Sequence, residues 1–163
     1  MTTRATVSPE VAIQEMERRV LSDGVFLAVR LGEGAPLLDA CRAAHRGGLR
    51  LLEITLTTPG ALEAIAALSP DPDLAVGGGT VLTPEDVQSV AGAGGRFVLS
   101  PVFHPGVLAE AAALGLLYVP GAATPTEILT ARRAGARLVK VFPAGPLGGP
   151  EFLRLVRGPL PDI

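Results

Sequence analysis

Lys140 occupies the middle of the apolar run Leu138-Val139-Lys140-Val141-Phe142. Burial among apolar neighbours favours the neutral form of an amine, and a lysine that attacks a carbonyl needs such a setting. The alternative is a side chain that snorkels outward or pairs with an acid inside the fold. Glu53 lies between Leu52 and Ile54, where an unpaired carboxylate is costly. From an inward face it could reach the Lys140 amine, directly or through a water, and serve as its general acid and base. It could equally be a structural partner for Lys140 or Arg30. The two residues are therefore the first candidates for chemistry at a carbonyl.

Other residues of interest fall at the ends of apolar runs. Gly77-Gly78-Gly79-Thr80 reads as a turn after a strand, offering bare N–H groups and a hydroxyl. It matches neither a dinucleotide fingerprint nor a Walker loop. Ser100-Pro101 and Pro143-Ala144-Gly145 hold equivalent places after later strands, where turn chemistry alone accounts for the prolines. His104 precedes Pro105 and reads as a helix-start residue; His45 is the only other histidine, so no metal site is visible.

Composition bounds the rest. The 163 residues fit one domain, 1–163, and 48% apolar content allows a substantial core. A net charge of -2 with scattered basic residues offers no face for nucleic acid. One cysteine, Cys41, excludes an internal disulfide and suits a reducing compartment, so a cytoplasmic location is expected. No apolar run reaches bilayer length and the start of the chain has no apolar leader, so no membrane association is expected.

The elements that must position Lys140 and Glu53 form a repeat. Pro9 to Leu21 carries Ile13, Met16 and Val20 at helical spacing and reads as an extra helix outside that repeat. Six strand-helix units follow, with strands expected at Val25–Val29, Leu49–Leu56, Leu74–Val76, Arg96–Leu99, Leu116–Val119 and Leu138–Phe142. Helices are expected to end at Gly47-Gly48, Gly94-Gly95, Gly115 and Gly135. They are expected to start at Thr58-Pro59, Thr83-Pro84, His104-Pro105 and Thr124-Pro125, the last with a capping box to Glu127. Strands alternating with single helices require parallel pairing. Leu52, Ile54 and Leu56 share one apolar face while Glu53, Thr55 and Thr57 share the other, and Lys140 opposes Val139 and Val141. Apolar residues outward under helices and polar ones inward fit an α/β parallel TIM barrel with about six of its eight βα units.

At these residues the chain resembles the 2-keto-3-deoxy-6-phosphogluconate (KDPG) and 4-hydroxy-2-oxoglutarate (KHG) aldolase family. The resemblance runs from about Gly24 to the end and is carried by Gly47–Leu56, Gly77–Leu82, Phe97–Pro101, Val119–Gly121 and Val139–Ala144. It implies a class I aldolase that uses no metal or other cofactor, with Lys140 forming the Schiff base and Glu53 shuttling protons. It also implies substrate contacts at Thr80 and Arg30, pocket walls at Pro101 and Phe142, a small 2-keto acid substrate, and a homotrimer. The implied reactions are cleavage of KDPG to pyruvate and glyceraldehyde 3-phosphate, and of KHG to pyruvate and glyoxylate.

Two departures from the family pattern stand out. Thr57 occupies a place where members acting on phosphogluconate-type substrates often carry Arg. The sequence stops at Ile163, where the family would enter its seventh strand, so a C-terminally truncated barrel of weak stability and poor turnover is expected. The alternatives are a phosphosugar isomerase or epimerase using Glu53 as base and Lys140 as an electrostatic clamp, and an inactive barrel fragment that binds a partner chain.

Overall fold

The computed structural model describes residues 8–163. Its elements are α1 (Pro9–Asp23), β1 (Leu27–Val29), α2 (Leu37–Arg46), β2 (Leu51–Thr55), α3 (Ala61–Leu68), β3 (Ala75–Gly79), α4 (Pro84–Gly92), β4 (Phe97–Leu99), α5 (Pro105–Leu114), β5 (Leu117–Val119), β6 (Gly121–Ala122), α6 (Pro125–Arg133), β7 (Lys140–Val141) and α7 (Pro150–Arg157). Strands β1 to β5 form a parallel sheet in sequence order, and β6 pairs in parallel with β7. The break between the two sheets falls at Pro120, which has no N–H to give to the ladder. On its near side the Val119 carbonyl accepts from the Ser100 N–H at 3.2 Å, and the Pro120 carbonyl accepts from the Lys140 N–H at 2.8 Å. One bent strand thus passes from β4 to β7, giving six βα units in a barrel arrangement.

Alternation along the strands sorts side chains into two cores. Leu52, Ile54, Val76, Val98 and Tyr118 point outward and pack under α2 to α5. Leu51, Ala75, Phe97 and Leu117, the first residues of their strands, point inward and meet Ile13, Met16 and Val20 of α1. The extra helix is therefore not peripheral to the repeat: it closes the N-terminal end of the barrel. Each buried side chain of that stripe contributes roughly 1.5–3 kcal/mol. Ser8 caps α1 by accepting from the Val11 N–H, and Gly24 ends it in the left-handed conformation at φ 70°.

Three local expectations change. Gly77 to Gly79 do not form a turn; they continue β3, fully buried, in register with Glu53 to Thr55. Cβ atoms at these positions would collide with neighbours, at Gly77 with the Phe97 carbonyl at 2.2 Å. Thr58-Pro59 does not start α3; Gly60 precedes that helix in the left-handed region, and Thr58 is buried instead. Its hydroxyl lies 3.0 Å from that of Thr55 and accepts from the Leu31 N–H at 3.2 Å, joining the ends of β1 and β2. Strand β1 begins at Leu27, leaving Val25 exposed.

Candidate active site

Lys140 opens β7 and Glu53 stands mid-strand in β2, on opposite walls of the barrel. Lys140 Nζ lies 3.7 Å from Glu53 Oε1. The carboxylate is buried, with 5% of its side chain exposed. The lysine differs from the burial expected of it: 31% of its side chain is exposed, because no strand covers the outer edge of β7 among the described residues. Its ammonium lies 5.4 Å from the centre of the Phe142 ring, within cation–π range.

Gly79 makes the pair possible. A Cβ on it would sit 2.3 Å from Glu53 Oε1, so only glycine leaves the carboxylate its place. Sequence reading missed this role, although Gly77 and Gly79 alternate in phase with Glu53 once β2 and β3 are paired. Composition carried another unused signal: Lys140 is the only lysine among the 14 basic residues, the rest being arginine.

At the C-terminal mouth, Arg30 Nη2 donates to Thr80 Oγ1 at 3.4 Å. Thr80 has φ 59°, a conformation that costs a β-branched residue about 1–3 kcal/mol and that here turns its hydroxyl toward the guanidinium. Thr57 is exposed, its hydroxyl 3.1 Å from that of Thr55. Pro101 and Phe142 line a cleft of about 490 Å³ with Val102, Ala122 and Pro143. Lys140 and Glu53 do not line it, and Phe142 is 42% exposed, so these walls belong to an open mouth rather than an enclosed pocket.

Behind Pro101 the segment is held by Tyr118. Its hydroxyl donates to the Val102 carbonyl at 3.0 Å and accepts from the His104 N–H at 3.3 Å. Burial pushes that phenol above its ordinary pKa, which keeps it a donor. His104 caps α5 by accepting from the Gly106 and Val107 N–H groups at 3.1 and 3.3 Å. His45 sits in α2 near Asp71, Nε2 to Oδ2 3.3 Å. No group of three or more metal-ligating side chains occurs among the described residues, and no helix there is long and apolar enough to cross a membrane.

A family model for KDPG and KHG aldolase matches residues 19–163. The 2-dehydro-3-deoxy-phosphogluconate aldolase of Treponema pallidum is 39% identical over 150 residues, covering 91% of this chain and 70% of that protein. The protein of the same name from Pseudomonas aeruginosa is 43% identical over 140 residues, covering 85% of this chain and 64% of its own length. A crystal structure of KDPG aldolase from Legionella pneumophila, with pyruvate captured as a covalent carbinolamine intermediate, superimposes with a TM-score of 0.76 at 28% identity. That match covers 96% of this chain and 73% of the Legionella chain. The chain thus spans about two thirds of the length of these relatives, with the amine-carboxylate pair inside the matched region. By profile, by sequence identity and by fold, the chain belongs to the KDPG and KHG aldolase family.

Proposed function

We propose that this chain carries the chemistry of a class I aldolase, releasing pyruvate from a small 2-keto acid through a Schiff base on Lys140. The observation that carries the reading is the 3.7 Å approach of the only lysine to a buried carboxylate across the barrel. The pyruvate carbinolamine of the Legionella relative is the adduct such an amine forms.

In this reading the Lys140 amine adds to the keto carbon, and Glu53 relays protons as the carbinolamine loses water to give a protonated imine. Glu53 then takes the proton of the C4 hydroxyl, the C3–C4 bond breaks, and its electron pair flows into the imine to leave an enamine. The aldehyde departs, C3 is protonated, and water releases pyruvate and restores the amine. At 3.7 Å the pair is beyond direct hydrogen-bonding reach, which suits a proton relayed by one water. Thr80, supported by Arg30, faces the substrate carboxylate, while Pro101 and Phe142 flank the ketone. Thr57 is a neutral hydroxyl beside this subsite. The substrates that fit are KDPG and KHG, giving glyceraldehyde 3-phosphate or glyoxylate with pyruvate. The reading includes no resident metal or cofactor, a homotrimer and a cytoplasmic location.

Incubation with pyruvate and borohydride tests it. A reduced pyruvyl adduct is expected on Lys140 and is expected to vanish in Lys140→Arg. A folded wild-type sample that takes up no adduct overturns the reading, and proton exchange on a phosphosugar without a trapped imine would favour an isomerase.

A further inference from the structure

Lys140 and Glu53 face each other from strands that share no hydrogen bond. Glu53 is fixed by the five-residue register of β2 with β3 and by the space at Gly79. Lys140 has less strand support: β7 is two residues long and pairs only with β6 among the described residues, and the packing of Val139 and Val141 is with α6 and α7 rather than with the β2–β3 side. The gap between amine and carboxylate therefore depends on whatever ties the start of β7 to the β2–β3 side of the barrel.

Helix α1 makes that tie. Three residues before Lys140, the Arg137 guanidinium donates to Glu17 Oε2 at 2.9 Å and also to the Glu10 carboxylate, both on α1. Arg132 braces the same segment by donating to the Ala136 carbonyl at 2.7 Å and the Arg137 carbonyl at 2.5 Å. Further along α1, Arg19 donates to the Pro72 carbonyl at 3.5 Å and to the Asp73 carbonyl, just ahead of β3. Ile13, Met16 and Val20 of the same helix seat it in the barrel end. One 15-residue helix thus grips the approaches to β3 and to β7. Arginine suits this grip because its planar fork can hold two carboxylates at once in a fixed geometry.

We propose that Arg137, held by Glu10 and Glu17 of α1, is a positioning residue that keeps Lys140 within reach of Glu53. The consequence for turnover rests on the Schiff-base reading above; the positioning itself does not. A displacement of about 1 Å at reacting groups can cost about a hundredfold in rate, so a salt link remote from the chemistry can govern it.

A zero-length carbodiimide cross-link reads the gap without any substrate. The reagent activates the Glu53 carboxylate, the Lys140 amine displaces the activating group, and an amide forms while the elements of water leave in the urea by-product. With a single lysine in the chain, the cross-linked peptide has only the N-terminal amine as a competitor. The wild-type protein is expected to give the Glu53–Lys140 amide, and Arg137→Ala to lose most of it, with pyruvate trapping on Lys140 slowed about ten- to hundredfold. Glu17→Gln, which keeps the size of the side chain but not its charge, is expected to lose part of both and decides the matter if Arg137→Ala fails to fold. Glu151→Gln, which breaks the solvent-exposed ion pair to Arg154 on α7, controls for loss of an ion pair that does not involve α1 and is expected to change neither readout. Undiminished cross-linking in folded Arg137→Ala overturns the proposal, as does a folded wild-type protein that gives no cross-link. Cross-linking that depends on Arg137 in a protein that never traps pyruvate supports the brace and refutes the aldolase reading.

Discussion

At the scale of single residues, two glycines of β3 separate stability from reactivity. A Cβ on Gly77 would meet the Phe97 main-chain carbonyl at 2.2 Å, and backbone there cannot move aside without disturbing the β3–β4 ladder. A Cβ on Gly79 would meet the far end of the Glu53 side chain, which can swing away. Gly77→Ala should therefore lower unfolding free energy by about 1–3 kcal/mol, as overpacking of a core does. Gly79→Ala should cost less stability but slow pyruvate trapping on Lys140 about ten- to hundredfold. Denaturant titration and borohydride trapping on both variants check the contrast; equal effects on both readouts would contradict it. Glu53→Gln keeps the shape of the side chain and removes its proton transfer, so trapping should fall about 10²- to 10⁴-fold.

Elements of this barrel are delimited by short-range chemistry, and α6 shows it most fully. Thr124 accepts from the Glu127 N–H at 3.2 Å, while the Glu127 carboxylate accepts from the Ala123 and Thr124 N–H groups at 2.8 and 2.9 Å. The Ala123 N–H first, then the Thr124 hydroxyl and N–H, hold Glu127 below the usual carboxylate range. A depressed folded pKa means that the unfolded chain binds the proton more readily. The stabilisation is complete above the unfolded value and is lost as pH falls through the lower folded one. Denaturation between about pH 5 and pH 2 should show this slope in the wild type and less of it in Glu127→Gln. Helix α4 carries the matching box from Thr83 and Asp86.

Across the whole molecule, support is uneven. Strands β2 and β3 lie inside the sheet, paired over five residues with each other, whereas β1 and β7 each have one edge without a strand partner among the described residues. Unpaired edges exchange and associate more readily than paired ones. Amide hydrogen exchange should therefore be slowest in β2 to β4 and faster at Val141 than at Lys140, whose N–H is held by the Pro120 carbonyl; slow exchange at Val141 would contradict the arrangement. The same openness leaves Lys140 part-exposed, and it makes the α1 brace one long-range support of β7, beside the packing of Val139 and Val141 with Val156 and Phe152 of α7.

The sequence by itself determined the repeat, the parity of the strands and the identity of the amine and the carboxylate. Glycines in left-handed turns, prolines in first helical turns and alternation at period two are set by each residue's own backbone and its near neighbours, so they are legible without a fold. Only the tertiary structure decided what those residues meet. Gly77 to Gly79 read as a turn until Phe97 and Glu53 occupied the space where their side chains would be. Thr58 read as a helix start until the Leu31 N–H and Thr55 hydroxyl claimed its oxygen. Helix α1 read only as an extra helix outside the repeat, and the structure shows it filling the end of the barrel. The 3.7 Å gap and the exposure of Lys140 depend on walls contributed by residues far apart in the chain. Such distances are fixed by non-local packing, which no local pattern encodes.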